Sequence, residues 1–94
     1  MYERTLRQMR DNIRTRKYVM TVHAEEEMND DGFTIFDVER AILTGRITER
    51  QEEPDAGEWK YVLTGESVRG TRVGLVGKLS VTGKLVIITV YAED

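Results

Sequence analysis

One histidine, His23, is the only side chain in this sequence that titrates near neutrality at its ordinary pKa, and it is suited to taking a proton from a hydroxyl. The competing reading is a packed or capping histidine at a strand–helix junction. A second grouping lies in Gly70-Thr71-Arg72-Val73-Gly74-Leu75-Val76-Gly77-Lys78. A period of two puts Arg72, Gly74, Val76 and Lys78 on one face of a strand, with glycines leaving space beside the cations, as a flat anion platform requires. Arginine and lysine hold a phosphate and stabilise charge developing on it. Lys60 and Tyr61 point to opposite faces of the preceding run, so at most one joins such a site directly. Thr89 and Tyr91 share a face of the last run, and a tyrosine hydroxyl can position a ribose or move a proton. The plain alternative is a half-exposed sheet whose long basic side chains cover apolar surface.

Glu25, Glu26, Glu27, Asp30 and Asp31 superficially resemble a cluster for a hard cation. Consecutive glutamates on a helix point in different directions, however, and no Asp-x-Asp-x-Asp-Gly loop is present, so a solvated helix face is expected. Glu52, Glu53 and Asp55 border a turn and read the same way. Phosphate-loop, dinucleotide-binding and His-Glu-x-x-His motifs are all missing, and no cofactor or metal is expected.

These residues must be positioned by a small scaffold. The chain has 94 residues, 39% hydrophobic and 33% charged, which suits one domain over 1–94 with a modest core. It has no cysteine, so disulfides and thiolate-held zinc are excluded. No apolar run approaches the ~20 residues of a membrane helix. Nor does Met1–Lys17 contain an apolar secretory core, and a cytoplasmic location is expected. The net charge of −3 is uneven: +4 over residues 1–22, −9 over 23–59 and +2 over 60–94. Overall acidity argues against a general nucleic-acid coat protein and leaves room for a local anion site on the basic C-terminal part.

Tyr2, Leu6, Met9 and Ile13 form the stripe of an amphipathic helix. Tyr18–Val22 is a short β-prone run, followed by a helix that Thr21 could cap and Gly32 could end in a left-handed conformation. Thr34 and Asp37 approximate a capping box for a third helix, with Ile35, Val38, Ala41 and Ile42 as its stripe and Gly45 as its stop. After Gly45 come four β runs, Arg46–Glu53, Glu58–Thr64, Thr71–Leu79 and Lys84–Tyr91. Pro54–Gly57 and Ser80–Gly83 supply two hairpin turns. The nearly all-apolar last run reads as a central strand covered on both faces. The expectation is α+β, with N-terminal helices packed on one face of a four-stranded antiparallel sheet and the other face partly open.

Thr21-Val22-His23-Ala24-Glu25-Glu26-Glu27-Met28, Asp31-Gly32-Phe33-Thr34, Asp37-Val38-Glu39 and Leu43-Thr44-Gly45 together resemble the domain-of-unknown-function 4258 family. Glu49-Arg50-Gln51, Gly57-Glu58-Trp59-Lys60-Tyr61 and the run Gly83–Tyr91 look like one branch of it, whose gene often lies beside one for a YgiT-type zinc-finger antitoxin. The similarity extends from about Thr21 to Tyr91. Glu26 and Glu27 stand where many members carry arginines. The resemblance implies a toxin of a type II toxin–antitoxin pair, similar to MqsR and more distantly to RelE, with a small antiparallel sheet and helices against it. Such proteins cleave mRNA without a metal, through attack of the ribose 2′-OH on its neighbouring phosphate.

Carried onto this chain, the resemblance makes Arg72 the phosphate-binding arginine of a middle strand and Tyr91 the tyrosine of the last strand. Lys60, Lys78 or Lys84 would supply a further cation, and His23 belongs to the family's His-Ala signature. The expectation is therefore a metal-independent endoribonuclease (an mRNA interferase) with RNA, free or on the ribosome, as substrate and a zinc-finger antitoxin as partner. The competing expectation is a non-catalytic module that binds a protein through the same sheet. A metal-dependent hydrolase using His23 and nearby carboxylates is a third.

Overall fold

The computed structural model describes residues 1–55 and 57–93. Ala56, part of the expected Pro54–Gly57 turn, lies outside the described residues. The elements run α1 (Glu3–Arg14), β1 (Tyr18–Met20), α2 (Val22–Asp30), α3 (Ile35–Thr44), β2 (Arg46–Glu53), β3 (Glu58–Glu66), β4 (Arg72–Leu79) and β5 (Leu85–Ala92). The class is α+β, as expected, but the sheet corrects the expected four antiparallel strands. The described residues form a five-stranded mixed sheet in the order β1-β5-β4-β3-β2. The short run at Tyr18 is the fifth strand and pairs parallel to β5, Tyr18 against Leu85 and Met20 against Ile87. Such pairing joins residues distant in sequence, so no local turn signal announces it.

Met9, Ile13, Ala24, Met28, Val38, Ala41 and Ile42 from the helices bury against Leu63, Val73, Leu75, Leu85, Ile87 and Val90 from the sheet. Each large side chain buried this way contributes about 1.5–3 kcal/mol of transfer free energy. The stripe expected on α1 is the one that faces this core. The order makes β4 the middle strand. On β5 only Leu85, Ile87 and Val90 are buried while the residues between them are half exposed, so the expectation of cover on both faces is corrected.

Two β-bulges decide which residues face out. Between Val76↔Thr89 and Gly77↔Ile87 the register skips Ile88, and between Ile47↔Leu63 and Glu49↔Val62 it skips Thr48. Strict alternation from the buried Ile87 would send Tyr91 into the core. The extra residue instead turns Val90 inward and Tyr91 outward. On β2, the same device sends Glu49 outward and places Arg50 on the helix side, 4.0 Å above the Trp59 ring and 5.5 Å from that of Tyr2.

Local signals fix the helix ends. Thr21 Oγ1 accepts the Ala24 N–H (3.1 Å), and the Asp37 carboxylate accepts the Thr34 N–H (2.8 Å). Gly32 ends the α2 turn at φ +75°. Helix α3 ends at Gly45, as expected, but with extended rather than left-handed backbone (φ −95°), and it packs closely on β3: a Cβ on Gly65 would stand 2.0 Å from the Ala41 carbonyl oxygen. Arg10 of α1 donates to the carbonyls of Ile42 (3.2 Å) and Gly45 (2.7 Å), placing a cation at the negative end of α3 where β2 begins.

Candidate functional site

The face of the sheet away from the helices carries Arg46 and Glu49 of β2, Lys60 and Thr64 of β3, Arg72, Gly74 and Lys78 of β4, and Tyr91 of β5. Arg46, Thr64, Gly74 and Tyr91 form one cross-strand row, through the pairs Arg46↔Thr64, Thr64↔Gly74 and Gly74↔Tyr91. The Tyr91 ring lies over Gly74, where a Cβ would stand 2.2 Å from Cε2. Glycine at this position is what lets the ring lie flat toward the middle of the sheet. Arg72 sits beside this row and shares its face, so two of the expected site residues come together.

Glu93, one residue beyond β5, closes the cluster. Its Oε1 accepts from Thr64 Oγ1 (2.5 Å) and from Arg72 Nη2 (2.8 Å) and Nε (3.2 Å). The Thr64 hydrogen bond is the largest influence and, together with the Arg72 hydrogen bond and charge and the charge of Arg46, it outweighs burial and holds this carboxyl below the usual range. Burial, reinforced by the negative charges of Glu93 and Glu49, pushes the Tyr91 phenol up. A phenol shifted this way keeps its proton at neutral pH and has a hydrogen to donate. A concavity of about 340 Å³ opens beside Arg46, Thr64, Gly65 and Arg72.

The lysines do not join this group. Lys60 and Lys78 share the open face, one step beyond the Tyr61↔Gly77 pair. Lys78 is six residues along β4 from Arg72, which is roughly 20 Å of strand. Each is ion-paired, Lys60 Nζ with Glu53 (3.0 Å) and Lys78 Nζ with Glu58 (3.2 Å). Lys84 lies in the turn between β4 and β5, at the opposite end of these strands from Arg72. Its expected role beside Arg72 is not supported by this geometry.

His23 stands on the first turn of α2 with its side chain 69% exposed, so a packed histidine is ruled out. Its Nε2 is 3.3 Å from Glu27 Oε1. That same oxygen accepts the Val90 N–H of β5 (3.2 Å), and Asp31 accepts the Ala92 N–H (3.0 Å). Among the described residues no hydrogen bond or ion pair links His23 to Arg72 or Tyr91. The solvated-face expectation holds for Glu25 and Glu26, but Glu27 and Asp31 serve the sheet: they satisfy the edge of β5 beyond the end of β1. Among the described residues, no three His, Asp or Glu side chains converge in a way that could hold a metal ion. No helix there is long and apolar enough to cross a membrane.

The model of one family, described as a domain of unknown function (DUF4258), matches residues 20–92. The chain belongs to the DUF4258 family. Comparison with curated proteins and with solved structures yields no match. The matched span of this DUF4258 domain takes in the four site strands β2–β5 whole and leaves out the first two residues of β1.

Four residues of this cluster, Arg46, Glu49, Thr64 and Glu93, were not singled out as site residues by sequence reasoning. The only available signal was the Arg46 position directly after the Gly45 stop, at the start of a strand. A second and larger hollow, about 700 Å³, lies away from this face, between the turn after α2 and the turn after β3. At its rim Phe36 is 66% exposed and Val68 61%.

Proposed function

We propose that this protein is a metal-independent endoribonuclease of RelE-like toxin type, acting on RNA laid across the open sheet face and neutralised by a YgiT-type zinc-finger antitoxin. One observation carries the reading: Arg72 and Tyr91 lie on the same open face, Arg72 two residues along β4 from Gly74 and the Tyr91 ring over Gly74 itself, with Thr64 and Arg46 beside them. Arg72 would hold the scissile phosphate and stabilise charge growing on its oxygens as the 2′-OH attacks. Tyr91, kept protonated, would donate to the leaving 5′ oxygen. Glu49, whose charge acts on Tyr91, is our choice for the acceptor of the 2′-OH proton; His23, facing Glu27 on α2, is the less well placed base.

A specific observation favours a second reading, a non-catalytic module that binds a protein partner. Arg72, Lys60 and Lys78 are each paired with a carboxylate, which weakens attraction for a polyanion. Exposed Phe36 and Val68 beside the larger hollow would suit a protein surface. Expression of the chain alone in a bacterial host separates the two. Growth arrest relieved by Arg72→Ala and Tyr91→Phe is the expected result. Normal growth with folded protein, together with a stable complex with a zinc-finger partner, would favour the binding module.

A further inference from the structure

We propose that Arg46, Thr64 and Arg72 form a phosphate-binding subsite which the chain's own Glu93 carboxylate occupies, so that Glu93 competes with an RNA phosphodiester for it. The identity of the ligand as RNA rests on the reading above; the subsite itself rests on geometry. A single carboxylate oxygen takes a hydroxyl donor and two guanidinium donors, at 2.5, 2.8 and 3.2 Å. Phosphate oxygens make the same demand, a hydrogen-bonding fork with a positive charge behind it.

A simple ion pair closing the strand end would need only Arg72. Here Thr64 aims its hydroxyl at the same oxygen, and Arg46, directly opposite Thr64 on β2, adds a second positive charge. Gly45 and Gly65, packed tightly against the backbone of Thr64 and Ala41, border the concavity of about 340 Å³ beside Arg46 and Arg72. Among the described residues lining it, Glu66 is the opposing carboxylate. The backbone of Glu93 is held by its N–H to the Arg72 carbonyl (3.1 Å). Release of the subsite therefore needs only a side-chain rotation, with the strand left in place. The competition makes RNA engagement weak until a phosphate displaces the carboxylate, a brake supplied by the residue that follows β5.

The test is titration of wild type, Glu93→Ala, Glu93→Gln and the double variant Arg72→Ala/Glu93→Ala with inorganic phosphate, followed by NMR of the arginine Nε–H signals. Thermal unfolding confirms that each variant is folded. Glu93→Ala is expected to bind phosphate roughly tenfold more tightly than wild type, with movement of the Arg46 and Arg72 signals. Glu93→Gln, still able to accept from Thr64, should gain less, and the double variant should fall back to wild-type affinity. Equal affinity of wild type and Glu93→Ala, or a gain that survives Arg72→Ala, overturns the proposal. RNA cleavage by wild type without any gain in Glu93→Ala would sink the internal competitor and leave the nuclease reading intact. A gain in phosphate affinity with no RNA cleavage by any variant would leave the subsite standing and the nuclease reading lost.

Discussion

The Tyr91 ring rests on Gly74, with ring carbon Cε2 2.2 Å from where a Cβ at position 74 would stand. Even the smallest side chain there must displace the ring. Gly74→Ala is expected to cost about 1–2 kcal/mol, the range of modest overpacking, because the half-exposed ring can swing aside. In a Tyr91→Ala background the same change should cost almost nothing. A double-mutant cycle by urea denaturation measures the coupling. Additive effects of the two changes would show that the ring does not occupy that place.

The β5 edge beyond β1 is satisfied by carboxylates of α2, which gives a second prediction. Glu27→Ala leaves the Val90 N–H without its acceptor and should destabilise by about 1–2 kcal/mol. Glu27→Gln keeps an acceptor oxygen and should lose less than half of that. Glu26→Ala, on the exposed side of the same helix, should stay within about 0.5 kcal/mol of wild type. Faster amide exchange at Val90 in Glu27→Ala alone would complete the pattern, and equal behaviour of Glu26→Ala and Glu27→Ala would refute it.

Stability should fall at both ends of the pH range, from different residues. The Thr34 and Val68 N–H bonds hold the Asp37 carboxyl below its ordinary range. Its contribution is therefore complete above the ordinary carboxylate pKa and disappears as pH falls through the depressed folded value. Burial, followed by the hydrogen bond to Glu39, pushes the Tyr18 phenol up to about 12. That contribution is complete below the ordinary value of 10.0 and is lost as pH rises from there toward about 12. Melting temperatures across pH should show Asp37→Asn flattening the acid limb and Tyr18→Phe flattening the alkaline limb. A Tyr18→Phe profile that still falls in parallel with wild type above pH 10 would contradict the assignment.

Local grammar made much of this fold legible. The Tyr2–Leu6–Met9–Ile13 stripe, the Thr21 cap, the Thr34–Asp37 pair and the Ser80–Gly83 turn each express a preference of a few neighbouring residues, and each is found where expected. The parallel pairing of Tyr18 with Leu85 was not legible, because the partner lies at the far end of the chain. The site was legible by half for a related reason. Alternation correctly put Arg72 with Gly74 and Lys78, and Thr89 with Tyr91. Whether the two sets face the same way depends on the extra residue at Ile88, which nothing in that apolar run marks. The charge of Arg46 acts on Glu93 only through the registers of three strand pairs, so no spacing in the sequence brings the two into one cluster.

The most direct measurement is cleavage of a labelled single-stranded RNA by the purified chain, without added metal, beside Arg72→Ala, Tyr91→Phe and Glu93→Gln. Cleavage by wild type leaving a 2′,3′-cyclic phosphate is the expected result. Arg72→Ala is expected to lose roughly 100-fold in rate, the scale of removing one group that stabilises transition-state charge. The folding stability of Arg72→Ala should stay within about 1 kcal/mol of wild type, because the Arg72 side of its ion pair with Glu93 is 59% exposed. Arg72→Ala cleaving at the wild-type rate, or no cleavage by folded wild type and Glu93→Gln alike, would contradict the proposed function.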